Sequence, residues 1–199
     1  MGSSQDVVII DTGCANLTSL RCAIERQGYA PEISCDPQRI LQADKLFLPG
    51  VGSAAHAMKN LRERGLVQVL RDIRQPLLGI CLGMQLLGRS SAEGESECLG
   101  ICELTSRSLD TQGAPLPHMG WNRVKSREAH PLFKGIGSAE YLYFVHSYGM
   151  EPGAETVATS CYGTAFSAAI QCGNFYGVQF HPERSGPVGA RLINNFLKL

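Results

Sequence analysis

The chain has no excess charge of either sign: 18 Lys and Arg stand against 18 Asp and Glu, and the formal net charge is zero. A nucleic-acid groove or a polybasic membrane anchor needs a cationic surplus, so neither is expected. Hydrophobic residues make up 44 % but are spread evenly, and no apolar run is long enough to span a bilayer. No charged segment leads into a long apolar stretch, so no signal peptide is expected and a soluble, cytoplasmic protein is. There is also no CxxC pair. The eight cysteines, Cys14, Cys22, Cys35, Cys81, Cys98, Cys102, Cys161 and Cys172, are scattered, and the closest two, Cys98 and Cys102, have no neighbouring histidine to complete a zinc site. Neither a metal nor a disulfide framework is expected; most of these residues read as small core side chains, and one as a nucleophile. Internal repeats, linkers and low-complexity segments are missing as well. One domain over residues 1–199 is the expectation, with Met1-Gly2-Ser3-Ser4 left out of the fold reasoning.

What the chain does have is alternation. Val7–Ile10 is a short apolar run, and Leu17, Leu20 and Ile24 then recur at helical spacing up to Gly28. Pro31–Cys35 is a second strand candidate, followed by Asp36-Pro37 as an N-cap with proline at the first helical position. Lys45–Leu48 is a third strand, closed by Pro49-Gly50-Val51-Gly52-Ser53. Helical segments come next, through Ala54, Met58 and Leu61 and from Leu66 to Ile73, and Pro76–Gly79 is a fourth, wholly apolar strand. This order predicts an open, mostly parallel α/β sheet with helices on both faces. After Gly88 the pattern changes. Ser90–Glu97 is polar and loop-like, and strand-like pieces follow at Ile101–Leu104, Arg123–Val124, Tyr141–Val145, Thr156–Ser160, Phe166–Gln171 and Tyr176–Phe180. Val188–Leu199 closes the chain as a helix.

Two places carry chemistry. Cys81 stands between the fourth strand and the helix-forming Leu82, Met84, Gln85, Leu86 and Leu87, with Gly79 and Gly83 two residues to either side. Gly-x-Cys-x-Gly is the nucleophile-elbow arrangement with a thiol in place of a hydroxyl. A sharp strand-to-helix turn brings backbones close and leaves no room for Cβ atoms at the glycines. It sets the sulfur at a helix N-terminus and aims the Leu82 N–H at an oxyanion formed on a substrate. A plain buried cysteine is the competing reading. The second place is His181-Pro182-Glu183, after the strand-like Phe175–Phe180. Residues two apart on an extended segment face the same way, so His181 and Glu183 are expected together. With Cys81 they make a thiol, a base and a carboxylate to orient it.

GICLGMQ, with HPE towards the other end of the chain, resembles the class I (triad) glutamine amidotransferases, and PGVGS fits the segment that completes their oxyanion hole. Over the full chain the sequence is similar to the glutaminase subunits of imidazole glycerol phosphate synthases, through DTGCANLTSL, LFLPGVGS, GICLGMQLLG, PLPHMGWNRV, YFVHSY and NFYGVQFHPERSG. The resemblance implies a flavodoxin-like fold with additional antiparallel strands in the C-terminal half, and no metal or organic cofactor. It implies Cys81 as nucleophile, His181 as acid/base and Glu183 as its orienter, with Val51, Gly52 and Leu82 around the oxyanion. Gln85, Glu93, Ser147 and Tyr148 would hold glutamine. Ammonia would pass to a (β/α)8-barrel cyclase subunit that forms a heterodimer with this chain and makes imidazole glycerol phosphate and AICAR in histidine biosynthesis. Candidates for the docking face are Asn16, Met119, Trp121, Asn122 and Arg184; Trp121, the only tryptophan, lies in a Pro/Gly-rich stretch.

Val51 stands where related amidotransferases often have glycine, and a β-branched residue resists a peptide flip. An oxyanion hole not fully formed in the resting subunit is therefore expected, completed when the cyclase binds its ligand. Three other readings stay open: the glutaminase of a different ammonia-channelling synthase, a free-standing γ-glutamyl hydrolase, and a non-catalytic scaffold. Met84, GWN and YFVHSY argue against the anthranilate type. Of the histidines, His146 reads as structural, and His56, His118 and His130 have no partner in sequence; of Tyr141, Tyr143 and Tyr148, only Tyr148 is expected near the site.

Overall fold

A computed structural model describes residues 5–13, 15–127, 130–138 and 140–199. Residues 1–4 and Cys14, which entered the sequence reading, lie outside them. The first half runs β1 (Val7–Ile10), α1 (Leu17–Glu25), β2 (Glu32–Ser34), α2 (Pro37–Gln42), β3 (Lys45–Gly50), α3 (Ala54–Glu63), α4 (Leu66–Asp72), β4 (Leu77–Cys81) and α5 (Leu82–Leu87). Starts are set by side-chain caps: Asn16 accepts from Ser19 N–H, Asp36 from Gln38 N–H ahead of Pro37, and Ser53 from His56 N–H. The second half holds β5 (Ser90–Ser91), β6 (Ser96–Glu97), β7 (Thr105–Ser108), β8 (His118–Arg123), β9 (Lys125–Ser126), β10 (Tyr141–His146), β11 (Tyr148–Met150), β12 (Thr156–Tyr162), β13 (Thr164–Cys172), β14 (Phe175–Val178) and α6 (Gly186–Leu197).

The main sheet has the order β2-β1-β3-β4-β14-β13-β12-β9. Its first five strands are parallel, and from β13 outward the pairing is antiparallel. Alternating side chains feed two apolar layers: Val7 and Ile9 face α1 and α6, while Val8 and Ile10 face α2 to α5. The fold is thus an α/β sheet with a parallel core, helices on both faces and antiparallel strands added late in the chain. Two small sheets, β10 with β8 and β11-β7-β5-β6, flank it. Among the described residues, no helix is long and apolar enough to cross a membrane.

Local departures from expectation have local causes. Ile101–Leu104 is not a strand: the N–H groups of Ile101 and Cys102 both donate to Leu87 O, so this apolar segment caps the C-terminus of α5. The polar Ser90–Glu97 folds into the β5–β6 hairpin. Strand β14 ends at Val178, two residues earlier than expected, and the Arg123–Val124 piece falls at the break between β8, which ends at Arg123, and β9, which starts at Lys125. The cysteines are less uniform than core residues would be. Cys81, Cys98 and Cys102 are buried, Cys22 and Cys172 are half-buried, and Cys35 and Cys161 are exposed.

Candidate active site

Strands β4 and β14 are parallel neighbours, so their C-terminal ends deliver Cys81 and His181 to one edge of the sheet. Cys81 carries φ 54°, a backbone state costing a non-glycine residue about 1–3 kcal/mol unless its surroundings enforce it. Here they do. A Cβ on Gly79 would sit 2.6 Å from the Gly83 carbonyl oxygen, and one on Gly83 would sit 1.7 Å from the Leu48 carbonyl oxygen. Only glycine at both positions lets α5 leave β4 this sharply against β3. Helix α5 is six residues long and the Cys81 side chain makes no capping hydrogen bond to it, so a long helix dipole does not act on the sulfur.

The backbone of His181 is held from two sides. Its N–H donates to Tyr143 O at 2.8 Å, and Ser185 Oγ donates to its carbonyl at 2.7 Å. The imidazole Nδ1 meets Glu183 Oε1 at 2.8 Å. That contact is not made along an extended segment: Pro182–Arg184 forms a 3-10 turn, which proline at its first position favours, and the turn swings Glu183 back to the ring. Tyr143, expected away from the site, is thus bound to it through its backbone. His181 Nε2 and Glu183 Oε2 are buried and have no hydrogen-bond partner among the described residues. Burial alone would lower the His181 pKa, but the Cys81 sulfur and the Glu183 carboxylate outweigh it and hold the imidazole up to about 10. Nε2 feels the sulfur without closing a hydrogen bond to it.

A cavity of about 410 Å³ opens over these groups, a size suited to a small ligand. Val51, Gly52, Cys81, Leu82, Gln85, Glu93, Ser147, Tyr148 and His181 all line it, so the structure brings together ten of the sequence-derived positions once Glu183, behind His181, is included. Glu93 is not a free acid, since its Oε2 accepts from Ala54 N–H at the start of α3.

Three further side chains join the site: Gln179, which sequence reasoning missed, His146, which reads as structural and is so, and His118, whose partner the sequence does not show. Gln179, fully buried, directs Nε2 to Cys81 Sγ at 3.7 Å and accepts from Gln85 Nε2 at 2.9 Å. Gln85 Nε2 also donates to Tyr148 O, which receives His146 Nδ1 at 2.8 Å. His146 Nε2 in turn meets His118 Nδ1 at 2.9 Å. The Tyr148 carbonyl only accepts, so His146 carries its proton on Nδ1 and His118 donates from Nδ1. Burial lowers both pKa values to about 4. Gln179 lies two residues before His181, a same-side spacing that could have marked it; the His118 partner is visible only in the β8–β10 register.

The five docking candidates divide. Met119 and Trp121 are exposed, at 62 % and 55 %. Arg184 is exposed, its guanidinium 5.6 Å from the Tyr143 ring, and that ring also makes an edge contact with Trp121. Asn16 lines a smaller cavity with Val51, His181, Glu183 and Arg184. Asn122 turns inward, its amide donating to Cys161 O and meeting His118 Nε2. Among the described residues, no group of three or more His, Cys, Asp or Glu is placed to hold a metal ion.

The chain is similar to known proteins over its whole length. The family model for glutamine amidotransferase class-I matches residues 8–199. Imidazole glycerol phosphate synthase subunit HisH of Vibrio cholerae is 60 % identical over 202 residues, covering 98 % of this chain and all of that protein. The subunit HisH of Escherichia coli K12 is 55 % identical over 195 residues, covering 98 % and 100 %. The solved structure of PurLQS from Thermotoga maritima aligns with a TM-score of 0.73 at 17 % identity, covering 98 % of this chain and 99 % of that one, a likeness of fold. The chain belongs to the class-I glutamine amidotransferase family, and within it to the HisH subunits of imidazole glycerol phosphate synthase.

Proposed function

We propose that residues 1–199 act as one glutaminase domain that hydrolyses glutamine through a Cys81 thioester and hands the ammonia to a cyclase subunit in histidine biosynthesis. One observation carries the reading: an elbow cysteine shares its cavity with a histidine whose far nitrogen is held by a buried carboxylate. The sulfur, as thiolate, adds to the carboxamide carbon of glutamine, and the oxyanion is met by the Leu82 N–H and an N–H of Val51 or Gly52. His181 then gives a proton to the departing nitrogen, because an amide anion is too poor a leaving group to go unprotonated. The C–N bond breaks, ammonia leaves, and a thioester remains. Water, deprotonated by the now neutral imidazole, adds to the thioester and expels the sulfur, releasing glutamate. Glu183 keeps the ring oriented and balances the imidazolium.

Gln85, Glu93, Ser147 and Tyr148 hold the amino-acid end of the substrate. Ammonia set free in water would be protonated, so the acceptor docks directly over the cavity. We take it to be a (β/α)8-barrel cyclase in a heterodimer, seated on Asn16, Met119, Trp121 and Arg184, with the inward-turned Asn122 left out of the contact. Val51, 43 % exposed at the cavity mouth, is the residue whose peptide the partner would reset. The experiment measures glutamate release by the chain alone and with the cyclase and its nucleotide ligand. Slow release alone, a large rise in the complex and loss of both in Cys81→Ala are expected. Fast release indifferent to the cyclase would instead indicate a free-standing hydrolase or a component of another synthase.

A further inference from the structure

We infer that Gln179 is a positioning residue for the nucleophile: its amide NH2 holds the Cys81 sulfur in the attacking orientation, and Gln85 holds Gln179. The inference rests on the reading of Cys81 as the nucleophile. A side-chain amide is costly to bury unless its polar atoms are met, and Gln179 is fully buried beneath the cavity floor. Its partners are Gln85 and Cys81, both at the site.

The direction of the chain is forced by chemistry. Tyr148 O cannot donate, so the Gln85 atom 2.9 Å from it is the NH2 group. That same nitrogen lies 2.9 Å from Gln179, whose facing atom must then be the acceptor Oε1. The other end of the amide is left with its two hydrogens toward Sγ, 3.7 Å away. An N–H beside sulfur favours the thiolate over the thiol, because a hydrogen bond to an ionised acceptor is the stronger one. It also narrows the sulfur's choice of rotamer, and a near-attack geometry depends on that choice. Neither effect requires Gln179 to touch glutamine. Loss of the donor should therefore reach the chemical step and spare substrate affinity.

Gln179→Glu separates the two halves of the amide. A carboxylate is almost the same size and still accepts from Gln85, but it has no hydrogen for sulfur. In the chain assembled with its partner subunit, kcat for glutamate release should fall about 10- to 100-fold with KM for glutamine within about threefold of wild type. Alkylation of Cys81 by iodoacetamide, read on its own peptide by mass spectrometry, should slow. Gln179→Met, uncharged and similar in volume, should show the same fall in kcat and, having also lost the acceptor for Gln85, a raised KM. A folded Gln179→Glu or Gln179→Met enzyme with wild-type kcat and a wild-type alkylation rate, while Cys81→Ala is inactive, overturns the role of Gln179 alone. Glutamate release that survives Cys81→Ala overturns the nucleophile and Gln179 together.

Discussion

Two buried histidine sites border the same cavity and titrate in opposite directions. His181 is held up to about 10, while His118 and His146 are pushed down to about 4. Burial acts the same way on all three, since it penalises the charged ring. The difference lies in what each ring nitrogen meets. His181 Nδ1 has a carboxylate at 2.8 Å and the sulfur acts on its other side. His146 meets a backbone carbonyl and a second histidine, and that histidine meets the Asn122 amide; apart from that carbonyl, which favours a proton only weakly, these partners offer a charge nothing. His181 itself adds a small further push against protonating His146. One histidine is built to exchange a proton. The other two are built to keep theirs, which makes them a fixed, directional strut under the Tyr148 carbonyl.

The largest break comes from Cys81→Ala. Glutamate release should fall by about 10⁴-fold or more, to background, in a stopped assay with the partner present. The same change removes one of the two groups that hold His181 up, so its ring should titrate below 10 by NMR. Glu183→Gln should cost about 10- to 10³-fold in kcat. It lowers the proton affinity of His181, so the alkaline limb of kcat moves to lower pH; an unmoved limb would remove Glu183 from the triad. The same group bears on stability. The folded pKa lies above the ordinary value of about 6.5, so the contribution is complete below that pH and is lost as pH rises through about 10. Denaturant titrations across this window should show a decline that Glu183→Gln shallows.

The other histidine site answers to stability more than to rate. His118→Phe keeps the stacking on Tyr162 and Phe144 but leaves His146 Nε2 without a donor. Urea unfolding at neutral pH should register a loss of about 1–3 kcal/mol, with kcat changed only a few-fold. The smallest effect is on the acid side. Groups whose pKa folding depresses lose stability as pH falls from about 6.5 through about 4, and this decline should be shallower in His118→Phe than in the wild type. Equal slopes would mean the pair is not the titrating unit.

Much of this is legible in the sequence alone. The parallel half of the sheet could be read because apolar runs, N-caps and glycine turns are local signals, and they fall at β1 to β4 and α1 to α5 with shifts of a few residues. The elbow could be read because its two glycines are required by steric contact alone. The misreadings share a cause. Ile101–Leu104 has the composition of a strand, yet the free carbonyl of Leu87 captures its backbone. Pro182 turns a run read as extended. His118 has no partner nearby in sequence because its partner, His146, stands on the antiparallel neighbour strand β10, 28 residues on.

The sequence by itself determined which residues could do chemistry: a thiol between two glycines, an imidazole, and a carboxylate two residues on. Those identities follow from covalent structure and short-range sterics. The tertiary structure decided their state. It set a sulfur and a carboxylate about one imidazole, a carbonyl and a second ring about another, and it buried Gln179 against the nucleophile. Proton affinity and orientation depend on solvent exclusion and on groups brought in from remote parts of the chain, and no local pattern encodes either.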